Sequence, residues 1–517
     1  MRRTERHQAQ RRRTRTRGRR GLLVTGAVTV TVGLLLTACG GGDGESSQDR
    51  GGSKLQQDVP IPAPARPTGG PADPDPDPAD HLSTFALDVD TASYGYARRT
   101  LEDGRRPEPS TVRPEEFVNS FSQHYERPDG DGFTVTMDGA RTDSPDWRLV
   151  RVGLATREAQ GSAERPPAAL TFVIDVSGSM AEPGRLDLAK DSLGVMTDRL
   201  RDDDAVALVT FSDEARTVLP MTRLGEHRGR VHEAIDTLEA IDSTNLGAGV
   251  TTGYRTAVEG LREGATNRVV LLSDALANTG ETDADAILER VGDARREHGI
   301  TLFGVGVGSD YGDALMERLA DRGDGHTTYV SDTKDARTVF CDELPRNVEL
   351  TARDAKAQVA FDPETVEEFR LIGYDNRGVA DEDFRDDRVD GGETGPGHTV
   401  TALYAVRTRP GATGHVATAT VRWLDPGTRV PHEESGRIEG ASLDGPLWDG
   451  ETARSGLQVA AVAAYFADAL RSGDGTLPGA PPLRELASRA EGLASATESK
   501  ETRTLSTTIA RAASLGF

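Results

Sequence analysis

Leu170-Thr171-Phe172-Val173-Ile174-Asp175-Val176-Ser177-Gly178-Ser179 is the stretch on which the reading of this chain turns. The run Leu170–Ile174 is apolar but for one Thr, as expected of a buried strand. Asp175, Ser177 and Ser179 leave its carboxyl end and direct one carboxylate and two hydroxyls, two residues apart, into one small volume. Such a set suits a hard divalent cation, because Mg²⁺ prefers oxygen ligands and keeps some of its waters. Asp, Ser and Gly also make ordinary turns, so other segments must decide.

Outward from this strand, residues 168–345 alternate apolar runs with helical patterns. Strands are predicted at 169–175, 204–212, 268–274 and 301–307, with weaker ones at 216–221 and 326–331. Val269-Val270-Leu271-Leu272 and Ala205-Val206-Ala207-Leu208-Val209 read as strands covered on both faces. Between them, Ala284, Ile287, Leu288, Val291 and Ala294 recur at helical spacing within 283–297. The alternation predicts an α/β fold with a doubly wound, mostly parallel sheet. In that architecture ligands bind at the carboxyl edge of the strands. Two more oxygen-bearing segments fall there: Asp242-Ser243-Thr244-Asn245-Leu246-Gly247, before a helix beginning near Gly247, and Ser273-Asp274, closing a strand. Taken singly, Thr244 reads as a helix N-cap and Asp274 as a capping or turn residue.

Asp-x-Ser-x-Ser at 175–179, a later Thr in Thr244-Asn245-Leu246 and a later Asp274 after an apolar strand resemble the metal-ion-dependent adhesion site (MIDAS) of von Willebrand factor type A (VWA) domains. The resemblance implies metal contact by Ser177, Ser179 and Thr244, with Asp175 and Asp274 acting largely through water or hydrogen bonds. It implies Mg²⁺, with Mn²⁺ or Ca²⁺ as alternatives, and a protein partner offering an Asp or Glu carboxylate. Neutral hydroxyls around the ion leave it under-neutralised, so an acidic domain can still attract an acidic side chain. One departure is visible: the family usually has Gly after the second Asp, where this chain has Ala275. Asn278 fits the usual pattern.

The flanks extend the likeness. Residues 84–123, from Thr84-Phe85-Ala86-Leu87 to Glu116-Phe117-Val118-Asn119, resemble the N-terminal module of a bacterial group of VWA lipoproteins. Residues 359–404, including Phe369-Arg370-Leu371-Ile372-Gly373-Tyr374, resemble the C-terminal module of that group. Alternating runs at 133–137, 149–154, 357–361, 399–406 and 416–423 predict half-buried antiparallel strands. Both flanks are therefore expected to build one β-rich, sandwich-like domain into which the VWA domain is inserted. Amphipathic helices near 453–471, 483–494 and 499–513 close the chain, with Ala460, Ala461, Ala463, Ala464, Phe466 and Ala467 suited to tight packing. The expected domains are an N-terminal module at 83–165, the VWA domain at 168–345 and a C-terminal β-rich domain at 346–517.

Residues 1–20 carry ten Arg and one Glu, and an uncharged, mostly apolar stretch from Gly21 ends in Leu36-Thr37-Ala38-Cys39. Basic region, apolar region and small residues before a Cys make a secretory signal. Leu36–Cys39 resembles a bacterial lipobox, which implies lipidation of Cys39, cleavage after residue 38 and a cell-membrane anchor on the extracytoplasmic face. An uncleaved membrane anchor is the alternative reading. Arg19-Arg20 also admits twin-arginine export. Residues 40–82, rich in Gly, Pro, Asp and Ser, read as a solvated tether. With Cys39 used by lipid, Cys341 stands alone and reads as a small buried hydrophobe.

The formal net charge is −23, and loss of the +9 leader leaves about −32. So acidic a body excludes a nucleic-acid partner in the ordinary electrostatic mode. Asp88-Val89-Asp90-Thr91 lacks, at Ala92, the Thr of a haloacid-dehalogenase-like phosphatase and reads as structural. His232-Glu233-Ala234-Ile235-Asp236 has Asp where a zinc-protease helix needs His. Gly304–Gly308 lies in a strand, not in a phosphate-binding loop. The chain is expected to be a non-enzymatic adhesion module. The alternatives are an envelope-assembly protein whose cation stabilises its fold and a metal-dependent hydrolase lacking an evident general base.

Overall fold

The computed structural model describes residues 81–516 apart from 88–89, 159–164, 242, 275–283, 308–318, 320–324, 331–338, 341–348, 376, 390, 412, 449–454 and 474. The expected signal, Cys39 and the tether up to residue 80 lie outside the described residues, as do Asp242, Ala275, Asn278 and Cys341.

Strand β1 (Leu82–Ala86) leads to helices α1 (Ala92–Glu102) and α2 (Pro114–Asn119), then to the hairpin β2 (Phe133–Arg141) and β3 (Trp147–Thr156). The middle block runs β4 (Ala168–Asp175), α3 (Leu186–Arg199), β5 (Ala205–Phe211), β6 (Ala215–Arg223), α4 (Arg228–Asp236), α5 (Leu246–Glu259), β7 (Thr266–Ser273), α6 (Ala284–His298), β8 (Thr301–Val307) and β9 (His326–Val330). There follow β10 (Ala352–Phe361), β11 (Val366–Leu371), β12 (Gly392–Thr394), β13 (Thr399–Thr408), β14 (His415–Leu424) and β15 (Pro431–Glu439). Helices α7 (Ser455–Ser472), α8 (Leu483–Thr497) and α9 (Lys500–Ser514) complete the described chain.

The middle block is a sheet in the order β6-β5-β4-β7-β8-β9. Only β6 runs antiparallel, and β4, next to the centre, is buried along its whole length. Its alternating side chains feed two cores: Leu170, Phe172 and Ile174 pack with α3 and α4, while Val173 packs with α5 and α6. This two-sided covering is why its sequence is a continuous apolar run.

The flanks form two antiparallel sheets, β1-β10-β14-β15 and β11-β13-β3-β2, with β12 pairing β10. Each mixes strands from before and after the middle block: β1 pairs β10, and β3 pairs β13, for instance Val152 with Ala402. Their shared core contains no described residue of the middle block. Arg157 and Glu349, where the chain leaves and regains this sandwich, are ion-paired at 2.7 Å. Helix α7 is buried over most of its length against α2, α8 and one sheet face that includes Leu149 and Leu403. No described helix is long and apolar enough to cross a membrane.

The β-rich flanks are as expected, and the N-terminal one also carries two helices, α1 and α2, over 92–119, where no element was predicted. Tyr94, Ala97 and Leu101 give α1 a buried face. Pro114 at the first turn, with Glu115 and Glu116 beside it, starts α2 where proline lacks only an N–H that has no helical partner.

The amino ends of the middle strands meet the flanks. Arg268, on β7, pairs with Glu393 of β12 at 3.3 Å, both buried. At the start of β9, Asp90 accepts from Thr327 N (2.7 Å), Thr327 Oγ1 (2.8 Å) and Arg377 Nη2 (3.2 Å). His326 Nδ1 stands 3.7 Å from Asp90, and Arg377 also reaches Glu115. Asp90 is thus a buried link between modules, as the structural reading of its motif expected. The carboxyl edge of the sheet is roughly 25 Å from this base, the length of an eight-residue strand.

A candidate metal site at the carboxyl edge of the central sheet

Parallel pairing sets Ile174 beside Leu272, so Asp175 comes level with Ser273 and next to Asp274. Asp175 Oδ1 accepts from the backbone N–H of Ser177 at 2.8 Å, and Oδ2 accepts from Ser273 Oγ at 2.6 Å. Burial pushes the Asp175 carboxyl above its ordinary range, against the bonds from Ser273 and Ser177, and the charge of Asp274 adds to the rise. Ser177 directly precedes, and Ser179 lies on, a single 3₁₀ turn (Gly178–Ala181), which folds the two hydroxyls toward each other. Their oxygens are 3.1 Å apart, and Ser179 Oγ donates to Asp274 Oδ1 at 2.9 Å. A hydroxyl has one proton, so Ser177 must be the donor between the two serines. The hydroxyls therefore form a directed chain from Ser177 through Ser179 to Asp274.

The third segment is held to the same edge through its backbone. Ile241 N donates to Val176 O and Asn245 N to Ser212 O, each at 2.6 Å, tying the loop to the ends of β4 and β5. Between these anchors Ser243 takes a left-handed φ of 77°, and Thr244 is buried. The residue capping α5 is Asn245, whose side chain accepts from Ala248 N at 3.0 Å. The N-cap role considered for Thr244 thus belongs to its neighbour.

Two participants escaped the sequence reading. Ser273 was visible only as the residue before Asp274, and its bond to Asp175 requires knowing that β4 and β7 are adjacent. Arg185 gave no signal at all. It stands just before α3 without capping it, its guanidinium is buried, and Nη1 donates to Asp274 Oδ2 and to Ser179 O.

The donor set fits a hard cation: two carboxylates and two neighbouring hydroxyls, with Thr244 on the adjoining loop, and no nitrogen or sulfur. No group of three or more His, Cys, Asp or Glu with metal-holding geometry occurs among the described residues, as expected when hydroxyls supply much of the shell. The other motifs stay structural. His232 lies on α4 and bonds Asp198 at 2.8 Å, and Gly304 and Gly306 lie within β8.

A family model for the von Willebrand factor type A domain matches residues 169–341. The middle block is a VWA domain. Residues 347–424 match the family described as "Uncharacterized protein YfbK, C-terminal", and residues 76–151 match one described as "von Willebrand factor". The VWA-bearing chain is homologous to Uncharacterized protein YfbK of Escherichia coli (strain K12), at 38% identity over 333 residues. That match covers 62% of this chain and 57% of YfbK, less than two thirds of the relative's length. Inter-alpha-trypsin inhibitor heavy chain H3 of Homo sapiens is 26% identical over 212 residues, 40% of this chain and 24% of that one. Among solved structures, the von Willebrand factor type A protein from Catenulispora acidiphila covers 73% of this chain and 89% of its own, with a TM-score of 0.45 and 18% identity.

Proposed function

We propose that this chain is a lipid-anchored, extracytoplasmic adhesion protein that captures a protein partner through a divalent cation, Mg²⁺ first, at the carboxyl edge of its VWA sheet. Ser177, Ser179 and Thr244 would hold the ion, with Asp175 and Asp274 fixing the hydroxyls or bound water. The ion would supply a positive coordination position for an Asp or Glu carboxylate of the partner. The observation carrying this reading is the convergence of Asp175, Ser177, Ser179 and Asp274 in one hydrogen-bonded cluster drawn from two distant segments. Ile241, 50% exposed on the loop beside the cluster, adds an apolar contact of the kind a protein partner buries. Cys39 and the leader support the membrane location, and the acidic composition supports a protein rather than a nucleic-acid partner.

The test is a crosslinked pull-down from the native envelope with and without chelator, alongside the Asp175→Ala and Asp274→Ala variants. The expected result is one partner set lost with chelator and with either variant, while the fold persists. Capture that survives both substitutions sinks the mechanism. A chelator that lowers the melting temperature but leaves capture intact would favour a fold-stabilising role for the cation.

A further inference from the structure

We propose that Arg185 sets the charge of the metal site, weakening its hold on the cation and strengthening the attraction of the bound cation for an outside carboxylate. This rests on the metal-site reading above. Arg185 is 5% exposed, and its Nη1 is bonded to Asp274 Oδ2, the oxygen that Ser179 does not use. A second bond, from Nη1 to Ser179 O at 3.2 Å, fixes it to the serine turn itself. Its Nη2 meets Glu182 at 2.8 Å, but that side chain is 66% exposed and screened by water.

The consequence is a matter of charge. Asp175 and Asp274 bring two buried negative charges, which would neutralise a divalent ion and leave little field for an incoming acid. The buried guanidinium returns one positive charge. Counted over the buried charges among the described residues, a loaded site then keeps a net positive charge where little water screens it. The same guanidinium also repels the cation, so affinity for the metal is given up for affinity toward the partner. A merely structural Arg185 would act differently: it would orient Asp274, and its loss would weaken metal binding.

Calorimetric titration of the full chain with Mn²⁺ alone separates these cases, using wild type, Arg185→Gln, Asp274→Asn and the double variant. The order of affinity should follow net charge, with Arg185→Gln roughly tenfold tighter than wild type, the scale of one unit charge in a partly screened site. Asp274→Asn should be weaker, and the double variant should recover toward wild type. Added acetate, a stand-in for the acidic side chain, should tighten Mn²⁺ binding to wild type more than to Arg185→Gln, since coupling between two ligands is reciprocal. Removing one partner of a buried pair destabilises more than replacing both. If Arg185→Gln fails to fold, the double variant against Asp274→Asn carries the comparison. An Arg185→Gln variant that binds Mn²⁺ equally or more weakly overturns the inference, as does a double variant no tighter than Asp274→Asn. Absence of Mn²⁺ binding by wild type would instead remove the metal-site reading itself.

Discussion

At the scale of single residues, the serines, aspartates and arginine of the candidate site form one hydrogen-bonded unit, so each substitution has a structural cost besides its functional one. Replacing Asp175 by Ala removes, in a buried setting, the carboxylate that accepts from Ser273 Oγ and the Ser177 N–H. The expected loss is about 1–3 kcal/mol, the usual cost of orphaning buried donors, together with loss of Mn²⁺ binding. Chemical denaturation and calorimetry read the two effects separately. A variant of wild-type stability would mean that these bonds contribute little. Of the five residues expected at the site, all are buried or half-buried at the carboxyl edge. Their types and spacing were legible because oxygen-bearing side chains at strand ends leave local marks. Arg185 was not, because an arginine before a helix reads as a solvated cation until its neighbours are known.

At the scale of elements, α5 lies unusually close to the sheet. A Cβ on Gly253 would sit 2.3 Å from Val173 Cγ2, and one on Gly249 would sit 2.6 Å from the Phe211 ring. Val173 and Phe211 belong to the strands whose ends carry Asp175 and Ser212, so α5 sets the position of the Ile241–Asn245 loop against them. Gly253→Leu should cost roughly 1–3 kcal/mol by overpacking and should weaken Mn²⁺ binding although it touches no candidate ligand. Melting temperature and metal titration check this, and an unchanged metal affinity would show that the loop is held without the helix. The apolar runs of β4, β5, β7 and β8 were readable because parallel strands buried on two faces leave no polar alternation. Helices α1 and α2 were not among the expected elements, although Tyr94, Ala97 and Leu101 of α1 recur at helical spacing; the six residues of α2 are too short a run to show a period.

At the scale of the whole molecule, the VWA domain stands on the flanks through buried charge pairs at the amino ends of its strands. Burial would raise the Asp90 carboxyl, but His326, Arg377 and the Thr327 amide outweigh it and hold the group below its ordinary range. Such a group stabilises the fold above the unfolded carboxylate value near 3.8, and that contribution is lost as pH falls through its lower folded value. Asp90→Asn should therefore cost roughly 3 kcal/mol at neutral pH, the cost of breaking a buried pair. The gap from wild type should narrow below about pH 4. Urea unfolding of both proteins across pH 3–7 measures it, and a gap constant with pH would contradict the assignment. Because the sandwich core holds no described VWA residue and Arg157 meets Glu349, a chain in which a short Gly-Ser linker replaces 158–348 should retain a cooperative β-rich fold. Circular dichroism and a thermal melt decide the point, and a non-cooperative transition would mean that the sandwich depends on its insert.

The strands of the central sheet, their oxygen-bearing ends and the two-sided burial of that sheet were legible in the sequence alone. All of them follow from local periodicity and residue chemistry, which depend on near neighbours along the chain. Strand order, the bond from Ser273 to Asp175, the guanidinium on Asp274 and the clamp from Asp90 to Arg377 were decided only by tertiary structure. Each joins residues far apart in sequence, and no local pattern encodes which buried charge will meet which.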